Sequence, residues 1–480
     1  MNFSPEIKTF ISEYVKHIRQ KDAAIFAGAG LSRIKGFVTW AQLLDDIATE
    51  LGLDISKESD FISIAQYHVN KNQNIDKIRR KIMEEFSDIS SPSEVHQTLA
   101  KLPIETYWTT NYDTLIEDAL KQLHRKPDVK HEVKQLPHTV PNRKAVVYKM
   151  HGDVHHPADA IITKDHFEKY SLTHQSFATA LNGDLLSKTF LFIGFSFTDP
   201  NLANVLARLS FRFGESSRQH YCFIRRIKRS EFKNKADYEY ANRKQELMVQ
   251  DLKRYKIQAL LIEEYEDILS ILKEIERQFQ KKTIFISGSA VEYGSMDTNQ
   301  AQEFIHKLSS ELIRENLTIV NGFGWGVGSA IINGALERIF ENQDKYSEEQ
   351  LILRPFPQFK TGTKLLTEMW DEYRHQMISM AGIALFLFGN KSKDGQTINA
   401  DGVMKEFDVA ISKGLLPIPV GATGYMSKEI WRKVDQNFDV YYKDTALIRN
   451  KAKFMELNDN LCLPEVLIKR VVDIIKLVNK

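Results

Sequence analysis

Three short segments carry residue types that could do chemistry together. They are Phe26-Ala27-Gly28-Ala29-Gly30-Leu31-Ser32, Tyr107-Trp108-Thr109-Thr110-Asn111-Tyr112-Asp113 and Lys149-Met150-His151-Gly152-Asp153. In the first, an apolar stretch runs into a glycine turn, where backbone N–H groups can approach a phosphate. The second is an apolar stretch ending in Thr109, Asn111 and Asp113, polar groups able to fix hydroxyls. The third places an imidazole, His151, at the end of another apolar stretch. An imidazole is the side chain best suited to accept a proton near neutral pH. Together the segments point to chemistry on a dinucleotide rather than binding alone.

Positioning these residues falls to strands and the helical stretches between them. Residues 5–20 are amphipathic, 23–26 form a short apolar strand, and Thr39 fits an N-cap whose capping-box partner is Gln42. The helix after the glycine turn is therefore expected to begin late, near Trp40. Apolar runs at 145–148, 190–193, 220–224 and 258–262, separated by helical stretches, predict a parallel α/β sheet with helices on both faces. A final helix over 268–279 closes this first domain, 1–280.

Lys281-Lys282 precedes a second beginning, in which Thr283-Ile284-Phe285-Ile286 enters Ser287-Gly288-Ser289. Residues 317–320 then lead into Asn321-Gly322-Phe323-Gly324-Trp325-Gly326-Val327-Gly328, which opens a helix from Ser329. Further strands are expected at 351–354, 384–388 and 416–420, so the second domain, 281–480, is α/β as well. Its two glycine turns should lie at the C-terminal edge of one sheet, where open α/β sheets bind ligands.

Composition narrows the class. A net charge of +2 over 480 residues gives no electrostatic case for nucleic acid or an anionic membrane. The basic stretch 225–229, with later Lys and Arg up to Arg254, is interrupted by acidic residues and is read as a solvated helical face. Cys222 and Cys462, the two cysteines, cannot build a Cys₄ zinc site and suit a reducing compartment. The start of the chain lacks the basic and apolar regions of a signal peptide, and its apolar runs are too short to span a bilayer, so the expected location is cytoplasmic. His155 and His156 point apart in extended chain and lack supporting carboxylate spacing, so no metal site is expected.

Residues 28–32, 109–113 and 151–153 together resemble the sirtuin family. The resemblance implies a Rossmann-type parallel-sheet domain in which Gly28, Ala29, Gly30 and Ser32 hold the NAD phosphates. Thr109, Asn111 and Asp113 would line the nicotinamide ribose, and His151 would supply the catalytic histidine. Gly194-Phe195-Ser196-Phe197-Thr198-Asp199 resembles the family's later strand end, which implies nucleotide contacts from Gly194, Ser196 and Asp199. Two departures matter. Arg33 stands where a dinucleotide fingerprint has its third glycine, and the four cysteines of the sirtuin zinc module are missing. Without that module water is the expected nucleophile, with Asn111 and His151 as the catalytic pair. The alternatives are a nucleotide sensor that binds NAD without cleaving it and a zinc-free protein deacylase.

The second domain resembles the SLOG family of Rossmann-like nucleotide sensors. A sirtuin-like domain joined to a SLOG domain resembles the effectors of Thoeris antiphage defence. That resemblance implies an NAD⁺ hydrolase, activated by a cyclic ADP-ribose isomer that a partner TIR-domain protein makes. By family position the signal would be read by Arg374, Lys391 and Glu406, beside Gly288, Ser289, Gly322, Gly324 and Gly326. Residues 394–401 are expected to form an exposed loop next to Lys391, and the assembly is expected to be a homotetramer.

Overall fold

The computed structural model describes residues 3–87, 91–195, 197, 199–214, 217–360 and 362–479, with the side chains of 209, 212 and 213 excepted. The chain divides into two compact units, Met1–Glu276 and Arg277–Lys480.

The first unit holds seven strands: β1 (Ala23–Ala27), β2 (Thr106–Thr109), β3 (Pro127–Lys130), β4 (Ala145–Lys149), β5 (Thr189–Ile193), β6 (His220–Arg225) and β7 (Ile257–Ile262). They pair in parallel in the order β3-β4-β2-β1-β5-β6-β7. Strands β1 and β5 are buried along their whole lengths, as expected where helices cover both faces of a parallel sheet. Phe26, Trp108, Phe190 and Phe192 anchor the core. Each such side chain contributes about 1.5–3 kcal/mol on leaving water.

Register explains why distant sequence segments form one site. Ala27 pairs with Thr109 and with Ile193, and Thr109 pairs with Lys149. Four strands therefore end level, and Gly28, Asn111, His151 and Gly194 all follow within two residues of those ends. Winding reverses between β1 and β5, the place where open α/β sheets form a ligand crevice.

The second unit adds β8 (Thr283–Ser289), β9 (Thr318–Asn321), β10 (Leu351–Leu353), β11 (Ile383–Phe388), β12 (Asn390–Lys393), β13 (Gln396–Asn399) and β14 (Leu416–Pro419). Its parallel sheet runs β10-β9-β8-β11-β14.

Three local expectations are corrected. A short helix, Ala29–Arg33, begins directly at the glycine turn, and the helix capped by Thr39 and Gln42 (Trp40–Glu50) follows it. The basic stretch up to Arg254 is helical in its later part, in the largely exposed helix Lys235–Leu252, but residues 225–229 are not a helical face. They leave the end of β6 and enter a 3₁₀ turn, Arg229–Glu231, while Arg225, Arg226 and Lys228 pair with Glu231, Glu263 and Glu264. Most of the stretch read as a loop over 394–401 belongs to the antiparallel hairpin β12–β13. Asp394 (φ 51°) and Gly395 (φ 78°) form its turn, as a two-residue hairpin requires.

Among the described residues no helix is long and apolar enough to cross a membrane.

Candidate active site

The glycine turn after β1 packs backbone to backbone against the turn after β5. A Cβ on Gly28 would lie 2.5 Å from the Gly194 carbonyl oxygen, and one on Gly30 would lie 2.8 Å from Gly194 Cα. Gly194 has φ of +67°, and its own Cβ would meet Leu31 N at 2.3 Å. No side chain fits at any of the three positions. The N–H groups of Gly28 and Gly30 donate to Ile193 O (2.9 Å) and Gly194 O (2.8 Å), and Leu31 N donates to Gly28 O (3.0 Å). Much of the turn's amide set is thus satisfied within the protein, which differs from the open phosphate cradle that the sequence pattern predicts.

Asn111 lies just beyond β2, with its backbone N–H donating to Thr109 Oγ1 at 2.9 Å. Its amide nitrogen donates to Gly28 O (3.0 Å) and to Ser32 Oγ (2.8 Å). Both N–H bonds are spent, which fixes the amide orientation and leaves Oδ1 as the end able to accept from a ligand hydroxyl. Ser32 Oγ donates onward to Asp113 Oδ2 at 2.5 Å, and Asp113 Oδ1 accepts from Leu115 N at 3.1 Å. Asp113 therefore acts as a buried brace for the loop.

His151 is buried against the edge of Phe167, 5.1 Å between ring centroids. Its Nε2 lies 3.0 Å from Asp199 Oδ2, within ion-pair range but off the axis of a ring N–H hydrogen bond. Asp199 is also the N-cap of the helix Pro200–Phe213, accepting from Leu202 N at 2.9 Å. Burial works against the Asp199 carboxylate. The His151 ring and the backbone amides of Leu202 and Asn201 outweigh it and hold its pKa below the ordinary value. Ser196 lies outside the described residues.

A feature not singled out from sequence sits directly behind this pair. Lys149 is 0% exposed, and its ammonium donates to Tyr112 O (3.0 Å), Asp113 O (2.6 Å) and Asp153 Oδ2 (2.5 Å). Glu117 Oε1 stands 3.0 Å away as a further counter-charge. Burial disfavours the ammonium, but Glu117 and Asp153 outweigh it and raise the lysine pKa. Burial raises the pKa of Glu117. Glu117 and Asp153 also line a cavity of 490 Å³ with Phe37, Phe86, His131 and His156. Neither Asn111 nor His151 belongs to it. Among the described residues no group of three or more His, Cys, Asp or Glu side chains is arranged to hold a metal ion.

In the second unit the turns after β8 and β9 interlock. A Cβ on Gly324 would fall 1.9 Å from Gly288 O, and one on Gly326 (φ +73°) 1.9 Å from Ala290 O. Gly288 and Gly322 are similarly closed off by Leu387 O and the Phe356 ring. Ser289 Oγ donates to Asn390 O at 2.9 Å.

Glu406 Oε2 accepts from Ser287 Oγ at 2.5 Å, and burial raises its pKa. Arg374 Nε is 3.9 Å from Glu406 Oε1, and the guanidinium lies over the Phe356 ring at 5.3 Å. Its Nη1 meets Asp371 Oδ1 at 2.7 Å. Lys391, on β12, pairs with Asp401 at the start of the helix Asp401–Ser412, which also carries Glu406. A Cβ on Gly402, next to Asp401, would come within 3.9 Å of Arg374 Nη2, so Arg374, Lys391 and Glu406 gather around one helix. Trp325, within the glycine turn, is 79% exposed, a large aromatic that the reading of glycines alone passed over.

Fold and sites define a two-part protein, a SIR2-like domain joined to a SLOG domain. Residues 105–248 match the SIR2-like domain family, and 267–478 match the Sir2- and TIR-associating SLOG family. Over its full 480 residues the chain is 48% identical to the NAD(+) hydrolase ThsA of Bacillus cereus strain MSX-D12, covering 100% of both. It is 45% identical over 476 residues to the NAD(+) hydrolase ThsA of Cytobacillus dafuensis, covering 98% of this chain and 96% of that one. It is 22% identical over 361 residues to the Defense-associated sirtuin 2 of Bacillus subtilis, covering 70% of this chain and 34% of that protein. The chain belongs to the ThsA family.

Proposed function

We propose that the first domain, 1–280, cleaves NAD⁺ to nicotinamide and ADP-ribose at Asn111 and His151, and that the second, 281–480, controls it by binding a cyclic ADP-ribose isomer. As a member of the ThsA family, the chain is an NAD⁺ glycohydrolase. The observation that carries the residue assignment is the register, which brings Gly28, Asn111, His151 and Gly194 to one level edge.

The chemistry asks little of the protein. Nicotinamide is cationic while attached and neutral on leaving, so no acid is needed to protonate it. The transition state resembles an oxocarbenium ion, and the protein must orient the ribose, stabilise developing charge and position water. Asn111 Oδ1 accepts from a ribose hydroxyl or the attacking water. His151 takes the proton, once Asp199 gives up its place at Nε2.

In the sensing domain Arg374 and Lys391 offer cations for a diphosphate, Glu406 accepts ribose hydroxyls, and Gly288, Ser289, Gly322, Gly324 and Gly326 shape the floor. The signal comes from a partner TIR-domain protein, the working assembly is a cytoplasmic homotetramer, and NAD depletion in the infected cell is the antiphage outcome. Nicotinamide release by the wild-type chain and by Asn111→Ala tests the catalytic assignment. Undiminished release by the variant would refute it.

A further inference from the structure

We propose that Lys149 is a positioning residue for NAD⁺ cleavage, clamping the loop that carries Asn111 to the loop that carries His151. The proposal rests on the assignment of those two residues made above. Lys149 is the last residue of β4, two before His151, and its ammonium reaches across to the main chain at Tyr112 and Asp113, immediately after Asn111.

An ammonium has three N–H donors. All three are spent, on the carbonyls of Tyr112 and Asp113 and on Asp153 Oδ2, while Glu117 Oε1 balances charge without receiving a hydrogen bond. Two backbone bonds flank this clamp. Met150 N donates to Thr109 O (2.9 Å), and Val154 N donates to Tyr112 O (3.0 Å). From Asp113 the connection continues through its carboxylate to Ser32 and back to the Asn111 amide.

Burying a lysine with two carboxylates is costly, and an apolar filling of the same volume is often as stable or more so. Stability alone therefore does not account for charges here. What an apolar side chain could not do is donate to the two main-chain carbonyls immediately after Asn111, one of which, Tyr112 O, also accepts from Val154 N. The clamp sets the separation of Asn111 from His151, and a displacement of about 1 Å at reacting groups can cost 10²-fold in rate.

Lys149→Met alone would strand Asp153 and Glu117 as buried unpaired charges and lower stability as well as activity. The decisive variant is therefore Lys149→Met with Asp153→Asn and Glu117→Gln, which keeps the volume and removes every charge. Full-length proteins are assayed for nicotinamide release with NAD⁺, alone and with each cyclic ADP-ribose isomer, in the condition where wild type turns over. The expected result for the triple variant is a folded protein with a melting temperature above that of Lys149→Met alone, KM for NAD⁺ within about threefold of wild type, and kcat lowered about 10²-fold. A folded triple variant with wild-type kcat overturns the proposal, as does a rise in KM at unchanged kcat. Asn111→Ala, run in parallel, separates the two levels: if it retains activity, the site assignment itself has failed, whatever Lys149 does.

Discussion

The two glycine-bearing sheet edges hold their polar side chains in opposite ways. At the first, Asn111 has both amide N–H bonds committed, both Asp113 oxygens accept, and all three Lys149 donors are used, so that His151 Nε2, 3.0 Å from Asp199 Oδ2 and without a hydrogen bond, is the group left to change partner. At the second, Arg374 Nε is buried without a hydrogen-bond partner and stands 3.9 Å from Glu406, Lys391 is 44% exposed, and Trp325 projects outward. A site that must place groups to within fractions of an ångström for a transition state is braced before substrate arrives. A site that must register a ligand keeps cations whose partners can change, because a ligand shifts a conformational balance only by its differential affinity for the two states.

The largest effect should come from the braced edge. His151→Ala is expected to lower kcat by about 10²–10⁴-fold with the melting temperature nearly unchanged, as measured by nicotinamide release. At the open edge, Arg374→Ala should abolish the response to a cyclic ADP-ribose isomer while NAD⁺ binding to the first domain, followed by calorimetry, stays intact. A normal response would move the sensing pocket elsewhere. Lys391→Ala, removing an exposed cation already paired with Asp401, should shift the activating concentration by less than Arg374→Ala does.

The units should also part company in acid. Twelve of the fourteen histidines fall in the first unit, leaving His306 and His375 in the second. Burial, helped by Arg218, pushes His220 down to about 3, and its Nδ1 accepts from Phe190 N, a bond that only the neutral ring can make. Burial likewise pushes His96 down to about 4. Both folded pKa values lie below the unfolded value, so the stability they support is full above about pH 6.5 and is lost as pH falls toward them. For His220 the loss by pH 5 is about 2 kcal/mol. Hydrogen exchange resolved by unit should show the first unit opening more readily between pH 7 and pH 5 than the second. Equal weakening would contradict this. The smallest expected effect is at Thr39, whose capping box with Gln42 starts the helix Trp40–Glu50. Thr39→Ala should cost about 1 kcal/mol in denaturant unfolding of the first unit, with no change in turnover.

Most strands of the two parallel sheets and the three motifs were legible because long apolar runs interrupted by glycine or polar turns are what a buried parallel sheet demands, whereas the edge strand Pro127–Lys130, which has no such run, was not. Asn111 and His151 stood out because each follows such a run directly. What escaped the reading was of other kinds. The helix Ala29–Arg33 is one turn long and too short to show a period. The hairpin β12–β13 announces itself only through Asp394-Gly395, between strands of four residues with little apolar content. Lys149 looks like a polar flank in sequence, because lysine is almost never fully buried and its partners include Glu117, on the helix Leu115–Gln122, and main-chain carbonyls that carry no residue signature. The packing of Gly28 and Gly30 against Gly194 depends on the adjacency of β1 and β5, which periodicity alone cannot order.

The central claim is that one chain couples a braced NAD⁺-cleaving edge to a separate nucleotide-sensing edge. The most direct measurement is a time course of nicotinamide and ADP-ribose release from NAD⁺ by the full-length protein, before and after a cyclic ADP-ribose isomer is added. The account predicts little release before addition and sustained release after it, with one nicotinamide and one ADP-ribose for each NAD⁺ consumed. NAD⁺ that is bound yet remains intact with every isomer tested would contradict it, and would make the first domain a binding module rather than a catalyst.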